Sequence, residues 1–323
     1  MSFTQQFGVI FVRLFAICLM LAAGYYARRR DFLNDDSTRR MSMLVTNLLY
    51  PAAIFASLVG KFTLRGIADE WVMPVGAFLI IAIGYCCGLL FAFFSRGHET
   101  ATRQMFHFQC AVTNYVFLPL PLVLVFWPET GLGKLALSSI GSEIGVWTIG
   151  ILALTGVSFR LEALKKLLSA PMLAILLSIV VLAFREAVPL AFADGSLWLE
   201  SWRALISVGD MLGAATVPMA MLIAGSRMAT LRTRNLNQPL QFWLLFVRLI
   251  AIPAITVPLL LWALPLGPES RFIIVLIAVM PCSVASVALS EIYRADSDFA
   301  AASVLLTTVT CILTVPFWMA ALG

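Results

Sequence analysis

The chain has 323 residues, of which 61% are hydrophobic and only 12% are charged, and its mean hydropathy is +0.96. A soluble globular domain carries about 25% charged residues, so this composition indicates a membrane protein. The formal net charge of +5 does not indicate nucleic-acid binding, because Lys and Arg stand mainly at the ends of apolar segments. All six cysteines lie inside apolar stretches and only two histidines are present. We therefore expect no disulfide framework, metal site or other cofactor.

Ten apolar segments have about the 20 residues that a helix needs to cross a bilayer. The first segment precedes the basic cluster Arg28–Arg30 and has no basic residue before it, so we interpret it as a span and not as a cleavable signal peptide. In chain order, the predicted spans are residues 7–27, 40–60, 71–95, 103–127, 134–157, 170–192, 204–226, 240–264, 271–293 and 298–322.

The fourth and ninth predicted spans are interrupted in the middle by polar residues and prolines, over residues 111–121 and 280–286. Unwound backbone at membrane depth is tolerated only where protein buries it or where it lines a cavity. A matched pair of such interruptions in the two halves of a chain points to the binding site of a transporter. We predict that the site lies where the two interruptions meet.

The two halves of the chain echo each other. Spans two and seven each carry one mid-helix proline, Pro51 and Pro218, and spans four and nine each carry an interruption. Because each half has an odd number of spans, the halves must be inverted relative to each other in the membrane. The sequence thus predicts an all-α membrane protein of ten transmembrane helices, built as two inverted five-helix repeats (residues 1–157 and 170–323) with broken crossover helices 4 and 9.

Residues 158–169 form the predicted connector between the repeats. Apolar residues at 161, 164 and 168 and basic residues at 160, 165 and 166 favour a cytoplasmic amphipathic helix, and a plain polar connector fits the pattern equally well. With both termini outside, 14 of the 22 Lys and Arg residues fall in inner loops and six in outer loops. This bias predicts a multi-pass protein of the cell membrane with both termini extracytoplasmic.

Five short motifs, which together fall in six of the spans, resemble the auxin efflux carrier family, which includes plant PIN exporters and bacterial organic-acid permeases. Span two matches the family pattern N-x-x-x-P-A-x-x-F-x-x-L, and span four matches an Asn followed seven residues later by a Pro. The chain departs from the family at two positions. Thr113 stands where the family usually has a Gly or a Pro, and Pro119 stands where it usually has a Gly. The matching residues are Asn47, Pro51, Ala52, Phe55, Leu58, Asn114, Pro121, Trp147, Thr148, Gly150, Leu212, Gly213, Ala215, Pro218, Gly225, Pro281, Ser283, Tyr293 and the run 300–316.

The resemblance implies a ten-helix crossover fold in which a transport domain (spans 3–5 and 8–10) moves against a scaffold (spans 1, 2, 6 and 7). It also implies a small organic anion as substrate: a carboxylate, auxin-like or a dicarboxylate. An elevator-type alternating-access mechanism follows from that architecture. The other expected partner is the lipid bilayer. We expect no nucleic acid as a partner, and the sequence is compatible with a homodimer.

An interruption exposes the first N–H groups of the half-helix that follows it, together with the positive end of its dipole. Such ends can hold an anion, and the Asn114 amide can donate to a carboxylate. The alternative role of Asn114 is a helix–helix hydrogen bond. The hydroxyl groups of Ser283 and Ser286 could equally donate to carbonyl groups of their own helix. Asn47 could equally contribute to helix packing. The candidate substrate-binding residues are Asn47, Thr113, Asn114, Tyr115, Pro121, Pro281, Cys282, Ser283 and Ser286, and Pro119, Pro121 and Pro281 are expected to shape the crossing.

Four ionisable residues lie deep within predicted spans. Intramembrane charge is a functional hypothesis by default, and Glu143, between small residues, is the candidate for a proton-coupling carboxylate. Asp210 is a second candidate, with a structural ion pair as its alternative. Arg13 and Arg248 are close enough to span ends for snorkelling.

Two other classes of function compete with an organic-anion carrier. The first is a sodium- or proton-coupled symporter or antiporter of the related crossover fold, similar to bile-acid symporters or sodium/proton antiporters. The second is an intramembrane enzyme, which we do not expect, because His98 and His107 lack a partner motif such as H-E-x-x-H. A membrane receptor domain on the same fold is a further alternative.

Overall fold

The computed structural model describes residues 3–156, 168–188, 196–230 and 236–322. Within these ranges the chain is helical and contains no β-strand. The predicted connector lies outside the described residues up to position 167.

The first half of the chain contains nine described α-helices, between residues 3 and 155. In chain order they are α1 (Phe3–Arg29), α2 (Asp35–Leu44), α3 (Tyr50–Lys61), α4 (Leu64–Asp69), α5 (Val72–Leu90), α6 (Thr100–Ala111), α7 (Pro119–Phe126), α8 (Gly131–Gly145) and α9 (Ile151–Thr155).

The helices of the second half begin at residue 170. They are α10 (Ala170–Ala187), α11 (Leu197–Ala214), α12 (Thr216–Met228), α13 (Pro239–Phe246), α14 (Ile252–Ala263), α15 (Pro268–Val279), α16 (Ala285–Ile292) and α17 (Ser297–Leu322).

By length and composition, eight helical stretches of the described residues could cross a membrane, and each falls on a predicted span. The two predicted spans without such a stretch are the fourth and the ninth, the two that contain interruptions. The eight stretches are Phe7–Arg29, Asp35–Lys61, Leu64–Leu90, Gly131–Thr155, Ala170–Ala187, Leu197–Met228, Pro239–Ala263 and Ser297–Leu322.

Two of the prolines in the continuous spans follow π-helical turns. Pro51 follows the π turn Val45–Leu49, and Pro253 follows the π turn Val247–Ala251. A proline inside an α-helix lacks an N–H and clashes with the carbonyl group four residues earlier, and a π turn relieves both problems locally because its hydrogen bonds span five residues. These two spans therefore stay continuous through their prolines.

Glycines bring helices of the two halves into backbone contact. A Cβ atom on Gly24 of α1 would lie 2.3 Å from the carbonyl oxygen of Leu222, and one on Gly225 of α12 would lie 1.9 Å from that of Leu21. α11 packs on α3 in the same manner, with Gly209 against Ala56. Small residues at such contacts let helices in a membrane approach closely.

Candidate functional site

The two interrupted segments lie side by side. α6 ends at Ala111 and α15 at Val279, and in both cases the next residue is in an extended conformation. The extended residues Thr113 and Cys282 pair as an isolated antiparallel bridge, and the Asn114 N–H donates to the carbonyl oxygen of Pro281 at 2.9 Å. Main-chain hydrogen bonding thus joins the first interruption to the second. We call this junction, at residues 113–114 and 281–282, the crossing.

Arg248 stabilises the ends of both half-helices that lead into the crossing. Its side chain is fully buried and donates from Nη1 to the carbonyl oxygen of Cys110 at 3.0 Å and from Nη2 to that of Ala278 at 3.1 Å. Nε and Nη2 also donate to Met280 O, at 3.2 and 3.0 Å. The snorkelling interpretation of Arg248 is therefore wrong. The guanidinium satisfies carbonyl groups that two interrupted helices leave without intrahelical partners, at the negative ends of their dipoles.

Buried side chains also form hydrogen bonds to residues of the second interruption. Gln109 Nε2 donates to Ser286 Oγ at 3.0 Å, and the Cys282 N–H donates to Thr307 Oγ1 at 3.2 Å. Ser286 and Cys282 are fully buried. These two candidate residues therefore contact protein groups, and their polar atoms serve the architecture of the crossing.

A cavity of about 350 Å³ opens beside the crossing. Four of the predicted site residues line it: Asn114, Tyr115, Ser283 and Glu143. Most of the remaining wall is apolar, and the far end of the cavity is formed by residues of α2 and α12, including Ser42 and Arg227. A mostly apolar cavity with a few convergent polar groups is the usual form of a small-molecule site.

The other predicted site residues lie outside the lining of this cavity. Thr113, Pro121, Pro281, Cys282 and Ser286 are buried around the crossing. Asn47 and Asp210 are exposed on the helix surface, and Asp210 forms no ion pair within the described ranges.

Sequence reasoning missed several lining residues, namely Thr46, Tyr50, Ser139, Arg227 and Thr308. Ser139 could have been found, because it lies four residues before Glu143 and thus on the same helix face. Thr46 and Tyr50 share one face of span two, and Asn47 between them points elsewhere.

Polar atoms of the cavity wall are left without protein partners. The Asn114 side-chain amide makes no hydrogen bond to any described residue, which disfavours its alternative role in helix packing. The Tyr50 hydroxyl and Thr308 Oγ1 are buried and likewise lack a partner in the described part of the chain. Unsatisfied buried polar groups call for an explanation, and a ligand in the cavity would supply one.

Both carboxylate oxygens of Glu143 accept a hydrogen bond, one from the first interruption and one from Glu143's own span. Tyr115 Oη donates to Oε1 at 2.9 Å, and Trp147 Nε1 donates to Oε2 at 2.8 Å. Glu143 is half-buried, and a π turn, Val146–Gly150, begins three residues later. Such turns occur often at functional sites. A carboxylate in the cavity wall is thus hydrogen-bonded to Tyr115, the residue that follows Asn114.

The half-helices that start at the crossing offer few free N–H groups. In α7, residues 119 and 121 are prolines and the Leu120 N–H donates to Val116 O at 3.0 Å. In α16, the Ser286 N–H donates to Ser283 O at 3.0 Å, which leaves the N–H of Ala285 without an acceptor among the described residues. The expectation that the first turns of both half-helices offer free donors is therefore wrong for α7.

The end of α3 contacts the α7–α8 loop and the start of α8, at the end of span two opposite Ser42. Lys61 Nζ lies 3.4 Å from Glu129 Oε2 and 3.3 Å from the carbonyl oxygen of Pro128. The Phe62 ring packs on Gly133, where a Cβ atom would lie 2.5 Å from Phe62 Cε2. Ser42 and Lys61 are about 28 Å apart along one span, at 1.5 Å per residue.

A family model described as membrane transport protein matches residues 9–166 and matches again over residues 158–319. Together the two matches cover nearly the whole chain. The chain belongs to this family, the auxin efflux carriers.

One curated relative of this auxin efflux carrier family member, Protein PIN-LIKES 5 of Arabidopsis thaliana, is 25% identical over 169 residues. The alignment covers 50% of the present chain and 42% of the relative, so the chain spans less than half of that protein. The chain is thus a member of a membrane transport family, and eight of its described helical stretches are long and apolar enough to cross a membrane.

Proposed function

We propose that this auxin efflux carrier family member is a secondary transporter that moves a small organic anion, either a monocarboxylate or a dicarboxylate. The observation that carries the proposal is the cavity beside the crossing, into which Asn114 presents an amide without a protein partner. Asn114 and Ser283, one from each half of the chain, are the proposed contacts to the carboxylate, and Tyr115 borders the same position. The neighbours Thr113, Pro119, Pro121, Pro281, Cys282 and Ser286 hold the shape of the crossing.

The proposed architecture has ten membrane-spanning segments in two inverted repeats. Eight are the continuous apolar helices, and the other two are the interrupted pairs α6–α7 and α15–α16. Spans 1, 2, 6 and 7 form the scaffold and the others form the transport domain, which moves as an elevator. Contacts of α1 with α12 and of α3 with α10 and α11 support a scaffold that joins the two halves.

We place the protein in the cell membrane with both termini outside, in accord with the distribution of basic residues. We also propose a homodimer, because Asp210 and Asn47 expose polar groups on apolar helix surfaces. Polar groups facing lipid are costly, and a second copy would cover them.

Membrane potential is sufficient to drive efflux of a monovalent anion. Moving one charge across 100 mV releases about 2.3 kcal/mol, which supports roughly a fiftyfold concentration gradient. No ion coupling is needed.

A second candidate is proton-coupled transport through Glu143. The position of this carboxylate in the cavity wall, bonded to Tyr115 at 2.9 Å, favours this alternative specifically. An anion next to an ionised Glu143 would be repelled, so binding of substrate would be easier when Glu143 carries a proton.

The two candidates predict different driving forces in proteoliposomes. Uptake of labelled benzoate, indole-3-acetate, succinate and malate is measured under an imposed potential, a pH gradient or a sodium gradient. The leading proposal expects flux that follows potential alone. Flux that ignores potential and needs a proton or sodium gradient would favour coupling, and no flux of any of these anions would count against an organic-anion carrier.

A further inference from the structure

Arg227 places a positive charge on the wall of the cavity. It lies in the last turn of α12, is half-buried and lines the cavity. Glu143 is the other charged lining residue, and it is already bonded to Tyr115 and Trp147. Arg227 forms no ion pair with any residue in the described ranges. The cavity therefore contains a guanidinium whose charge is not neutralised by a described carboxylate.

The two residues that precede Arg227 pack against the first half of the chain. The preceding residue, Ser226, is buried and shares a hydrogen bond of 2.8 Å between hydroxyls with Thr38 of α2. Gly225, one residue earlier, packs directly on the backbone of α1. Two contacts between the first and second halves of the chain thus position the backbone from which Arg227 lines the cavity.

A guanidinium in this position has the chemistry to capture an anion. Its fork of N–H donors matches the two oxygens of a carboxylate, and such charge-assisted bonds are about twice as strong as neutral ones. Because the site is half-buried and set in an apolar wall, salt screens it less than a fully exposed charge.

We propose that Arg227 is the anion-recruiting residue of the cavity. It binds the carboxylate of the incoming substrate at the end formed by α2 and α12, before the substrate passes to Asn114 and Ser283. This inference rests on the proposed function. It assigns selection of anions over neutral analogues to Arg227, whereas a residue that served only as a topology signal would leave binding unchanged.

The test compares Arg227→Gln and Arg227→Lys with Arg39→Gln as matched control. Arg39 is an exposed arginine of α2, so its loss removes an equal charge from a site without a cavity. In proteoliposomes with benzoate and succinate as probes, we expect Arg227→Gln to raise KM roughly tenfold with little change in kcat. Arg227→Lys, which keeps the charge and loses the fork of donors, should raise KM less than Arg227→Gln does, and Arg39→Gln should match the wild type.

A chemical rescue keeps the test independent of how well one variant folds. Arg227→Cys, in a background where the exposed Cys86 is replaced by Ser, is modified with a positively charged or a neutral methanethiosulfonate of similar size. The thermal shift that benzoate or succinate produces in purified protein should return with the positive reagent and not with the neutral one. Equal shifts with both reagents, or an unchanged KM in Arg227→Gln, would overturn the assignment.

The result separates this inference from the proposed function. If wild-type protein transports the probes and Arg227→Gln does so with the same KM, the assignment of Arg227 fails while the carrier proposal stands. If the wild type neither binds nor transports any of the carboxylates, the carrier proposal itself fails.

Discussion

Arg248 donates two hydrogen bonds to the main-chain carbonyl oxygen of Met280, from Nε at 3.2 Å and from Nη2 at 3.0 Å. Met280 is the residue at which α15 gives way to extended backbone, so the bonds lie at the start of the second interruption. A third bond, from Nη1 to Cys110 O, reaches the equivalent place in the first interruption. One side chain from α13–α14 thus completes the hydrogen bonding of two broken helices.

Replacing Arg248 with Met should destabilise the protein strongly. The apolar side chain fills a similar volume but leaves carbonyl groups of Cys110, Ala278 and Met280 buried without donors. Each unsatisfied group costs about 1–3 kcal/mol, so we expect the free energy of unfolding to fall by about 3 kcal/mol or more. Thermal unfolding in detergent measures the loss, with the exposed Arg39→Met as control. Equal melting temperatures for the two variants would contradict the capping role.

Replacing Asn114 with Ala should reduce transport while the fold survives. Its side-chain amide has no described protein partner, so removing it breaks no internal bond, but the carboxylate loses a donor. We expect uptake to fall by roughly tenfold, the equivalent of one hydrogen bond to a charged group. The matched control is Asn47→Ala, since Asn47 is exposed outside the cavity. A loss of uptake as large in the control would remove the special role of Asn114.

Replacing Glu143 with Gln should leave potential-driven flux intact. Gln can still accept from Tyr115 through its carbonyl oxygen, while it carries no titratable proton. We expect substrate flux in proteoliposomes to follow membrane potential in both the wild type and the variant. Tyr115→Phe, which breaks the 2.9 Å bond without changing charge, is the companion variant. Flux that needs a pH gradient in the wild type and loses that dependence in Glu143→Gln would instead support proton coupling.

Cysteine labelling in intact cells should find the termini outside. With that topology, a cysteine at Gly267 reacts with an impermeant maleimide added outside, and one at Arg39 does not. Both positions suit the experiment: a Cβ at Gly267 meets no atom within 4 Å, and Arg39 is exposed. Replacing the exposed Cys86 removes the background. The reverse labelling pattern would invert the topology.

Neutralising the contact between Lys61 and Glu129 should favour opening of the cavity at that end. Because both side chains are partly exposed, with 33% and 83% of their surfaces accessible, the pair contributes about 1 kcal/mol at most. Labelling of a Ser139→Cys reporter from the Lys61 side should speed up by roughly two- to fivefold in Lys61→Gln. The charge exchange Lys61→Glu with Glu129→Lys should restore slow labelling.

The exposed Arg40–Asp36 pair, 2.8 Å apart within α2, is the control for this experiment. Its neutralisation removes an ion pair without touching the α3 contact with the α7–α8 loop. An equal acceleration in this control would show that the Lys61 effect is not local.

Local sequence was sufficient to predict the interruptions and part of the site. Prolines and polar residues in an apolar run have consequences within a few residues, so the unwound segments around Asn114 and Ser283 could be located directly. Asn47 could not be placed in the same way. Thr46 and Tyr50, four residues apart, lie on the face of span two that lines the cavity, whereas Asn47 is exposed on another face.

Long-range partners that are main-chain groups leave no trace in the sequence. Arg248 contacts carbonyl oxygens 30 or more residues away, and no side-chain pattern marks those oxygens. Arg227 is counted among the inner basic residues that set topology, which conceals its place in the cavity wall. The roles of Arg248 and Arg227 therefore follow from the three-dimensional structure and not from the sequence pattern.

The glycine contacts between α1 and α12, Gly24 with Leu222 and Gly225 with Leu21, help to set the width of the cavity. Leu21, Ile223, Ala224 and Arg227 all line that cavity, and they lie on the α1 and α12 segments that the two glycines hold together. Adding a single methyl group at either glycine would place a carbon 2.3 Å or less from a carbonyl oxygen, so the helices would have to separate. The absence of side chains at Gly24 and Gly225 therefore keeps the cavity narrow. We expect substitutions at these two positions, which do not line the cavity, to change the size of the solutes that can enter it.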